Sequence, residues 1–327
     1  MSDLFTDMKA SLERVDRKKI VFPEATEERV LKAACKLANE GILEPVLIGK
    51  ENEIKQCAKE FQVSLEQCYV VDPEEYGGLD QMAERFVERR NGKATKTEAE
   101  QLLLDHNYFG TMLVYMGEAD GLVSGAVHST SDTVRPALQI IKTKPGVQRT
   151  SGVFVMVRKE EKYLFGDCAI NISPSSEELA EIAVESGKTA ALFNIDPRVA
   201  MLSFSTKGSA QSEETERVKA SVPLALEKNN SLVIDGELQF DAAFVPAVQE
   251  KKAPDSPLQG EANVFVFPSL EAGNIGYKMM ERLGGFEAVG PILQGLQKPV
   301  NDLSRGCDED DVYKLALITA LQAASHA

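Results

Sequence analysis

The chain has 327 residues, of which 43% are hydrophobic and 27% charged, a balance typical of a globular protein large enough for two α/β domains. Its net charge of −15 argues against general binding to nucleic acid or to anionic membranes, so any anionic ligand has to be held by local basic groups. Five cysteines without a C-x-x-C pair predict reduced thiols, no zinc or other metal site, and a cytoplasmic location. We expect neither a signal peptide nor a membrane span.

In the first half of the chain, short β-rich runs alternate with helical patterns. Strands are predicted at 19–22, 45–48, 69–72 and 121–124, and helices at 26–39, 52–61, 80–90 and 96–104. Thr26 reads as the cap of the first of these helices, and Gly41 follows its end. This βαβα order indicates a parallel sheet with helices on both faces.

The second half opens with a different pattern. Residues 152–158 and 162–165, joined by Lys-Glu-Glu, predict an antiparallel hairpin. Alternation then resumes with helices at 176–193, 211–227, 241–249 and 272–283, and strands at 198–203, 232–235 and 263–267. A final helix is predicted from about residue 312. A break in the pattern at 142–149 indicates a domain boundary.

The segment 124–136 has the composition of a ligand loop. A predicted strand ends at Ser124 and is followed by Gly125, several hydroxyl residues and then Arg135. In parallel α/β sheets, ligands bind beyond the carboxyl ends of strands, and hydroxyls with a forked arginine suit a phosphate. An ordinary capped turn into a helix explains the same residues. His128 in this loop is more typical of a polar cap than of a catalyst.

The segment 299–311 is the most informative stretch. Ser304, Arg305 and Gly306 precede an acidic cluster and an apolar-periodic run, so a flexible turn leads into a helix and can bind an oxyanion. The acidic residues 308–311 fit a helix start, and one of them fits a catalytic base. With three histidines in the chain, we expect a carboxylate to transfer the proton. Neither a dinucleotide fingerprint, a P-loop, a zincin motif nor a nucleophile elbow occurs.

Taken together, these motifs resemble the phosphate acetyltransferases (phosphotransacetylases), in their short, single-module bacterial form. Four stretches distributed along the chain carry the resemblance: 120–126, 128–143, 267–277 and 299–307. The resemblance implies a fold of two doubly wound αβα domains of the isocitrate/isopropylmalate dehydrogenase type, with an interdomain cleft. It places the first domain at 1–145 plus 297–327 and the second at 146–296. It also implies a homodimer.

The resemblance further implies reversible transfer of an acetyl group between acetyl-CoA and phosphate, giving acetyl phosphate and CoA, with no bound cofactor. It assigns Asp311 as the base, with Ser304 and Arg305 as further catalytic residues. The substrate-binding residues that it implies are Arg135, Ser129, Thr130 and one of Arg89 or Arg90. Cys307 falls near the site without needing to be a nucleophile. We expect direct attack of the CoA thiolate in a ternary complex, with Asp311 poised by burial.

Three other functions remain open from the residues. A phosphate butyryltransferase performs the same chemistry on a longer acyl chain. A metal-dependent 2-hydroxyacid dehydrogenase of similar architecture needs clustered aspartates and a cofactor loop, which the sequence does not provide. A third alternative is a non-catalytic sensor of acetyl phosphate or CoA. The presence together of four residues argues against it: Arg135, Ser304, Arg305 and Asp311.

Overall fold

A computed structural model describes residues 4–325. In chain order, the elements up to Ile141 are α1 (Leu4–Leu12), β1 (Lys19–Phe22), α2 (Glu28–Asn39), β2 (Glu44–Ile48), α3 (Glu51–Glu60), β3 (Tyr69–Val71), α4 (Leu79–Arg89), α5 (Lys96–Leu102), α6 (His106–Met116), β4 (Gly121–Ser124), α7 (Thr130–Pro136) and a π-helical turn (Ala137–Ile141). From Ser151 onward they are β5 (Ser151–Arg158), β6 (Glu161–Gly166), α8 (Ser176–Leu192), β7 (Arg198–Leu202), α9 (Glu213–Lys228), β8 (Val233–Leu238), α10 (Phe240–Phe244), α11 (Pro246–Lys252), β9 (Val264–Val266), α12 (Leu270–Arg282), β10 (Glu287–Gln294), β11 (Val300–Asp302) and α13 (Glu309–Ser325).

The chain divides into two compact units. One holds the described residues up to Lys144 together with those from Leu296 onward, and the other is Pro145–Gly295. No helix among residues 4–325 is both long enough and apolar enough to cross a membrane.

The first unit is built on a parallel sheet in the order β11-β4-β1-β2-β3. Its central strands are buried along almost their whole length, as parallel strands covered by helices are. α13 packs on β4 and α2, so the last helix of the chain belongs to this unit. β11 is the edge strand next to β4, so a late segment of the sequence completes the first sheet.

The second unit has a mixed sheet in the order β10-β5-β6-β9-β7-β8. β5 pairs antiparallel with both β6 and β10, whereas β9 is parallel to β6 and β7, and β7 is parallel to β8. The predicted hairpin is therefore confirmed as β5–β6. One side of this sheet is rich in phenylalanine, with Phe154, Phe165 and Phe265 in a single buried cluster.

Several elements have no counterpart among the predicted ranges, among them α1, α6, β10 and β11. α6 is apolar on nearly every side because it is buried, so it shows no periodic stripe, although Asp105 and the left-handed Gly117 cap its ends. α1 lies in the stretch that the sequence analysis treated only as an N-terminus. β10 contains Gly290-Pro291, where the pairing register shifts. β11 has three residues and is defined only by its partner.

Two predictions of detail are wrong. Thr26 does not cap α2; the Glu27 carboxylate does, accepting the backbone N–H groups of Arg29 at 2.8 Å and Val30 at 3.3 Å. The helix predicted at 241–249 is two helices, α10 and α11, because Val245 is extended and Pro246 starts a new helix.

Candidate active site

The two segments selected from the sequence lie side by side. β4 and β11 are parallel neighbours, with Asp302 opposite Ser124 in register, and the N–H of Leu303 donates to the Ser124 carbonyl at 2.7 Å. The chain leaves β4 through Gly125, whose φ is +114°, and a Cβ there would lie 2.5 Å from Asp302 Oδ1. This close approach requires glycine. The segments 124–136 and 299–311 therefore meet at one edge of the sheet.

Glu24, which the sequence analysis missed, organises the loop after β4. Its carboxylate accepts the four consecutive backbone N–H groups of 125–128 at distances of 2.8–3.0 Å, and it lies 2.7 Å from His128 Nδ1. Burial alone raises the pKa of Glu24, but the N–H groups of Val127, His128 and Ala126 outweigh burial and lower the pKa below its usual value. The sequence feature that could have identified Glu24 as a site residue is its position directly after Pro23, at the end of β1.

Arg29, also missed, joins this loop to the tail segment. Its guanidinium donates to the carbonyl of Ala126 at 3.1 Å and to the carbonyls of Arg305 and Cys307 at 3.1 and 2.6 Å. It also forms an ion pair with Glu27 at 2.7 Å. Because one planar group binds both backbones, the loop 125–128 and the turn 304–307 are held next to each other.

Asp302 is a buried carboxyl at the end of β11, with only 2% of its surface exposed. Within residues 4–325 its Oδ1 has no hydrogen-bond partner. Burial raises the pKa of Asp302 to about 6, and the negative charge of Glu24 acts in the same direction, while the hydroxyls of Thr130 and Thr133 oppose it. The site therefore contains a carboxyl that titrates just below neutral pH.

The predicted catalytic pair Ser304–Arg305 lies in a tight, exposed turn. The Ser304 carbonyl accepts the N–H of Cys307 at 2.9 Å, and the Ser304 hydroxyl accepts the N–H of Gly306 at 3.3 Å. Among the described residues, none accepts a hydrogen bond from the Arg305 guanidinium. The turn thus presents a hydroxyl and a forked cation to solvent, as an anion site requires.

The Cys307 thiol lies beneath this turn and is not activated. Burial raises the pKa of Cys307 to about 11 despite the positive charge of Arg29, and the carboxylate of Asp311 adds to the rise. A thiol with this pKa is uncharged at neutral pH, and the thiolate is the nucleophilic form.

Asp311 is placed at the start of α13, where it forms a reciprocal cap with Asp308. The N–H of Asp308 donates to Asp311 Oδ2 at 3.0 Å, and the N–H of Asp311 donates to Asp308 Oδ1 at 2.9 Å. The Asp311 side chain is exposed, so the expectation that burial poises it is wrong in this structure.

The hydroxyl loop continues into α7. The Ser129 N–H and hydroxyl both donate to Asp132, at 3.1 and 2.7 Å, which caps the helix. Thr130 is exposed and lies close enough to Asp302 to affect its ionisation. Arg135 is exposed at the end of this short helix, and its Nη2 donates to Ser131 Oγ at 3.0 Å.

The structure distinguishes Arg89 from Arg90. Arg89 donates to the carbonyls of Ile140 and Ile141 at 2.5 and 2.6 Å, so its guanidinium is committed to the backbone after α7. Burial raises the pKa of Tyr108, while the positive charges of Arg135 and Arg90 act in the opposite direction, so both arginines lie near this ring. Arg90 and Arg135 thus form a basic surface beside the loop.

Among residues 4–325, no group of three or more His, Cys, Asp or Glu side chains is arranged to hold a metal ion. The backbone N–H groups of 125–128 are bound by Glu24, so the groups at the loop that suit an anion are hydroxyls and arginines.

Comparison with known proteins gives a consistent result along the whole chain. Residues 4–320 match the family model described as Phosphate acetyl/butaryl transferase. The phosphate acetyltransferase of Bacillus subtilis (strain 168) is 64% identical over 323 residues, covering 99% of this chain and 100% of the relative. A crystal structure of a phosphotransacetylase from Streptococcus pyogenes superposes with a TM-score of 0.96 at 55% identity, covering 99% of this chain and 100% of that one.

The predicted fold class is confirmed by the same comparisons. A putative 4-hydroxythreonine-4-phosphate dehydrogenase from Salmonella typhimurium aligns over 94% of this chain with a TM-score of 0.54 at 12% identity. At this identity the likeness concerns the fold alone, and it agrees with the dehydrogenase-like fold that the resemblance implies.

The raised pKa of Asp302 predicts a pH-dependent stability. Because the folded-state pKa lies above the unfolded value near 4, the protonated carboxyl stabilises the fold; this contribution is fully present below about pH 4 and is lost as the pH rises through about 6. The stability of Asp302→Asn relative to wild type should therefore rise by about 1–2 kcal/mol between pH 5 and pH 8. Urea unfolding at both pH values measures this, with the exposed Asp255→Asn as the control. Parallel pH dependence in wild type and Asp302→Asn would contradict the prediction.

Proposed function

The chain belongs to the phosphate acetyl/butaryl transferase family, and from this premise we propose that it transfers an acetyl group reversibly between acetyl-CoA and inorganic phosphate, giving acetyl phosphate and CoA. The observation that carries the proposal is the 64% identity to a phosphate acetyltransferase over the full length of both chains. The site supports it with an exposed anion-binding turn next to a hydroxyl loop.

In the proposed reaction, CoA and acetyl phosphate are held together and the thiolate attacks the acetyl carbon directly. Asp311 accepts the thiol proton, since its carboxylate lies exposed at the first turn of α13, a few residues after Ser304 and Arg305. Ser304 donates a hydrogen bond to the oxyanion, and Arg305 neutralises the phosphate. The high pKa of Cys307 supports a route without an acyl-enzyme, because that thiol is uncharged at neutral pH.

Substrate binding is assigned to the basic and hydroxyl groups beside the turn. Ser129, Thr130 and Arg135 serve the phosphate of the acyl donor. Arg90, rather than Arg89, reaches an anionic part of the substrates, because the Arg89 guanidinium is already bound to two carbonyls. On a chain with a net charge of −15, such local cations have to overcome an unfavourable mean field.

The alternative substrate is butyryl-CoA, since the family description covers both acyl groups. Relatives at 64% and 57% identity are named phosphate acetyltransferases, which favours the acetyl group. We also propose that the reaction uses no cofactor besides its substrates and takes place in the cytoplasm, where unpaired cysteines stay reduced.

We propose that the protein is a homodimer that uses the outer face of α12. Ile275, Met279 and Leu283 repeat every four residues along this helix and are 58%, 54% and 81% exposed. Residues at this spacing form one stripe, and an exposed apolar stripe is stabilised when another surface covers it.

The test of the function is a thioester assay. Purified protein mixed with acetyl phosphate and CoA should form acetyl-CoA, followed by the ultraviolet absorbance of the thioester. In the reverse direction, with phosphate, kcat/KM for acetyl-CoA should exceed that for butyryl-CoA by at least about tenfold, because extra methylenes must find room in the acyl pocket. A preference for butyryl-CoA would favour the alternative function, and the absence of any thioester would exclude both.

The proposed catalytic roles predict large losses with the fold intact. Asp311→Asn and Arg305→Ala should each lower kcat by about 10²-fold or more, since they remove the proton acceptor and the phosphate cation. Both side chains are exposed, so thermal unfolding should change little. Asp310→Asn, one residue away and paired with Lys314, is the matched control and should keep near-normal turnover. Near-normal turnover in Asp311→Asn or Arg305→Ala would contradict the catalytic role proposed for the substituted residue.

The dimer proposal predicts a shift in mass. Met279→Glu combined with Leu283→Glu should convert a dimer into a monomer in light scattering, because charges would have to be buried in the contact. Lys278→Glu, an exposed position on the same helix, should remain dimeric. A monomeric wild type, or a double variant that stays dimeric, would contradict the proposed face.

A further inference from the structure

This inference rests on the proposed reaction. In that reaction a base takes the proton from the CoA thiol, but the departing phosphate also needs a proton, which that base does not supply. When the thiolate displaces phosphate from acetyl phosphate, the leaving oxygen keeps the electron pair of the broken C–O bond. Without a proton the product would be the phosphate trianion, which is a strong base. A general acid at the leaving oxygen lowers this barrier, and in the reverse direction the same group accepts a proton from the attacking phosphate.

His128 has the contacts of such an acid. Its Nδ1 lies 2.7 Å from Oε1 of Glu24, whose side chain is 1% exposed, whereas the imidazole is 36% exposed. Glu24 is ionised, so it can only accept, and Nδ1 must carry the hydrogen. Nε2, on the other side of the ring, is then the nitrogen left to exchange a proton.

The position of His128 relative to the proposed phosphate site follows from Arg29. This guanidinium binds the Ala126 carbonyl, two residues before His128, and the Arg305 carbonyl, each at 3.1 Å. Directly after His128 come Ser129 and Thr130, the proposed phosphate hydroxyls. The histidine is thus located between the two groups of residues that serve the same anion.

Charged groups from several elements surround His128 and its partner Glu24. Glu24, from the loop after β1, is the bonded partner, and Asp132, from α7, interacts with His128 electrostatically. Two further charges interact with Glu24. The positive charge of Arg29, from α2, attracts its carboxylate, and the negative charge of Asp302, from β11, repels it. Arg135 and Asp132, which both lie on α7, also interact electrostatically.

We propose that His128, held by Glu24, is a further catalytic residue: the general acid for the departing phosphate. The thiol proton goes to Asp311, the C–S bond forms, and the C–O bond breaks with its electron pair on the phosphate oxygen. That oxygen takes the proton from His128 Nε2, leaving HPO₄²⁻ and a neutral imidazole, which is reprotonated from solvent. No oxidant or further reactant enters the balance.

The alternative is that His128 only anchors the loop to Glu24, and for that purpose its Nδ1 alone is sufficient. Glu24 already accepts four backbone N–H groups from the loop, so the imidazole is a fifth donor to a carboxylate that is otherwise satisfied. The two roles make different predictions for variants that keep one ring nitrogen and lose the other.

Two substitutions separate the nitrogens. In His128→Asn, the side-chain amide takes the place of Nδ1 and can still donate to Glu24, whereas the proton at Nε2 is lost. In His128→Gln, the amide takes the place of Nε2 and donates a hydrogen bond without titrating. His106→Asn is the matched control, because His106 Nδ1 lies 3.0 Å from the carbonyl of Pro23, next to Glu24, and has no proposed catalytic role. Thermal unfolding reports whether each variant folds.

The decisive readout compares two acyl donors, acetyl phosphate and acetyl methyl phosphate. The second expels methyl phosphate as a dianion, which needs no proton. His128→Asn should lower kcat/KM for acetyl phosphate by about 10²-fold or more, and for acetyl methyl phosphate by no more than about threefold, while His106→Asn changes neither by more than about twofold. His128→Gln should not restore the loss. Equal losses with both donors, or unchanged turnover of acetyl phosphate in His128→Asn, would overturn the proposal.

A second measurement decides the question if the wild type turns over acetyl methyl phosphate too slowly. In the direction of acetyl-CoA formation, wild-type kcat should fall as the pH rises and His128 loses its proton, and this limb should be absent in His128→Asn. The same alkaline limb in both proteins would also overturn the proposal. If the wild type forms no thioester from acetyl phosphate, the proposed function itself fails. If it does and His128→Asn is equally active, only the role of His128 fails.

Discussion

The pairing of β11 with β4 is the interaction on which the site depends. It aligns Asp302 with Ser124 and sends two chain segments, about 180 residues apart in sequence, off the same sheet edge in the same direction. Gly125 is the local condition for this pairing, because any side chain there would collide with Asp302 and with the Leu303 backbone. Once the strands are aligned, the turn carrying Ser304 and Arg305 and the hydroxyl loop after Ser124 have to be neighbours.

Two buried or half-buried charges then hold these neighbours in place. Glu24 gathers the four N–H groups of the loop, and Arg29 gathers carbonyls from the loop and the turn. The backbone N–H and carbonyl groups of two adjacent loops need hydrogen-bond partners. The carboxylate accepts from the N–H groups, and the guanidinium donates to the carbonyls. They leave Arg305, Ser304 and the outer edge of His128 available to an anion. Glu24 is thus buried, whereas Ser304 and Arg305 are exposed.

Much of the fold and part of the site follow from local sequence rules. The strand at 19–22 is predicted to the residue, and the hairpin is predicted from two β-rich runs with a charged turn between them. The turn at 304–306 is predicted from Gly306 and Arg305 before a helix start, and its role in binding an anion stays a prediction. Asp311 shows where such rules stop: its position at a helix start is predictable, but its exposure and its reciprocal bond with Asp308 depend on how α13 begins. The choice between Arg89 and Arg90 likewise depends on carbonyls some fifty residues away.

The sequence by itself determined the alternation of strands and helices, the motifs that place the chain in its family, and the residue types available for binding an anion, because these depend on neighbours along the chain. Only the tertiary structure decided that Glu24 and Arg29 organise the site, that Asp302 titrates near pH 6, and that His128 has a carboxylate behind it. The physical reason is that desolvation and hydrogen-bond partners set these properties, and the partners of Glu24 lie about a hundred residues further along the chain.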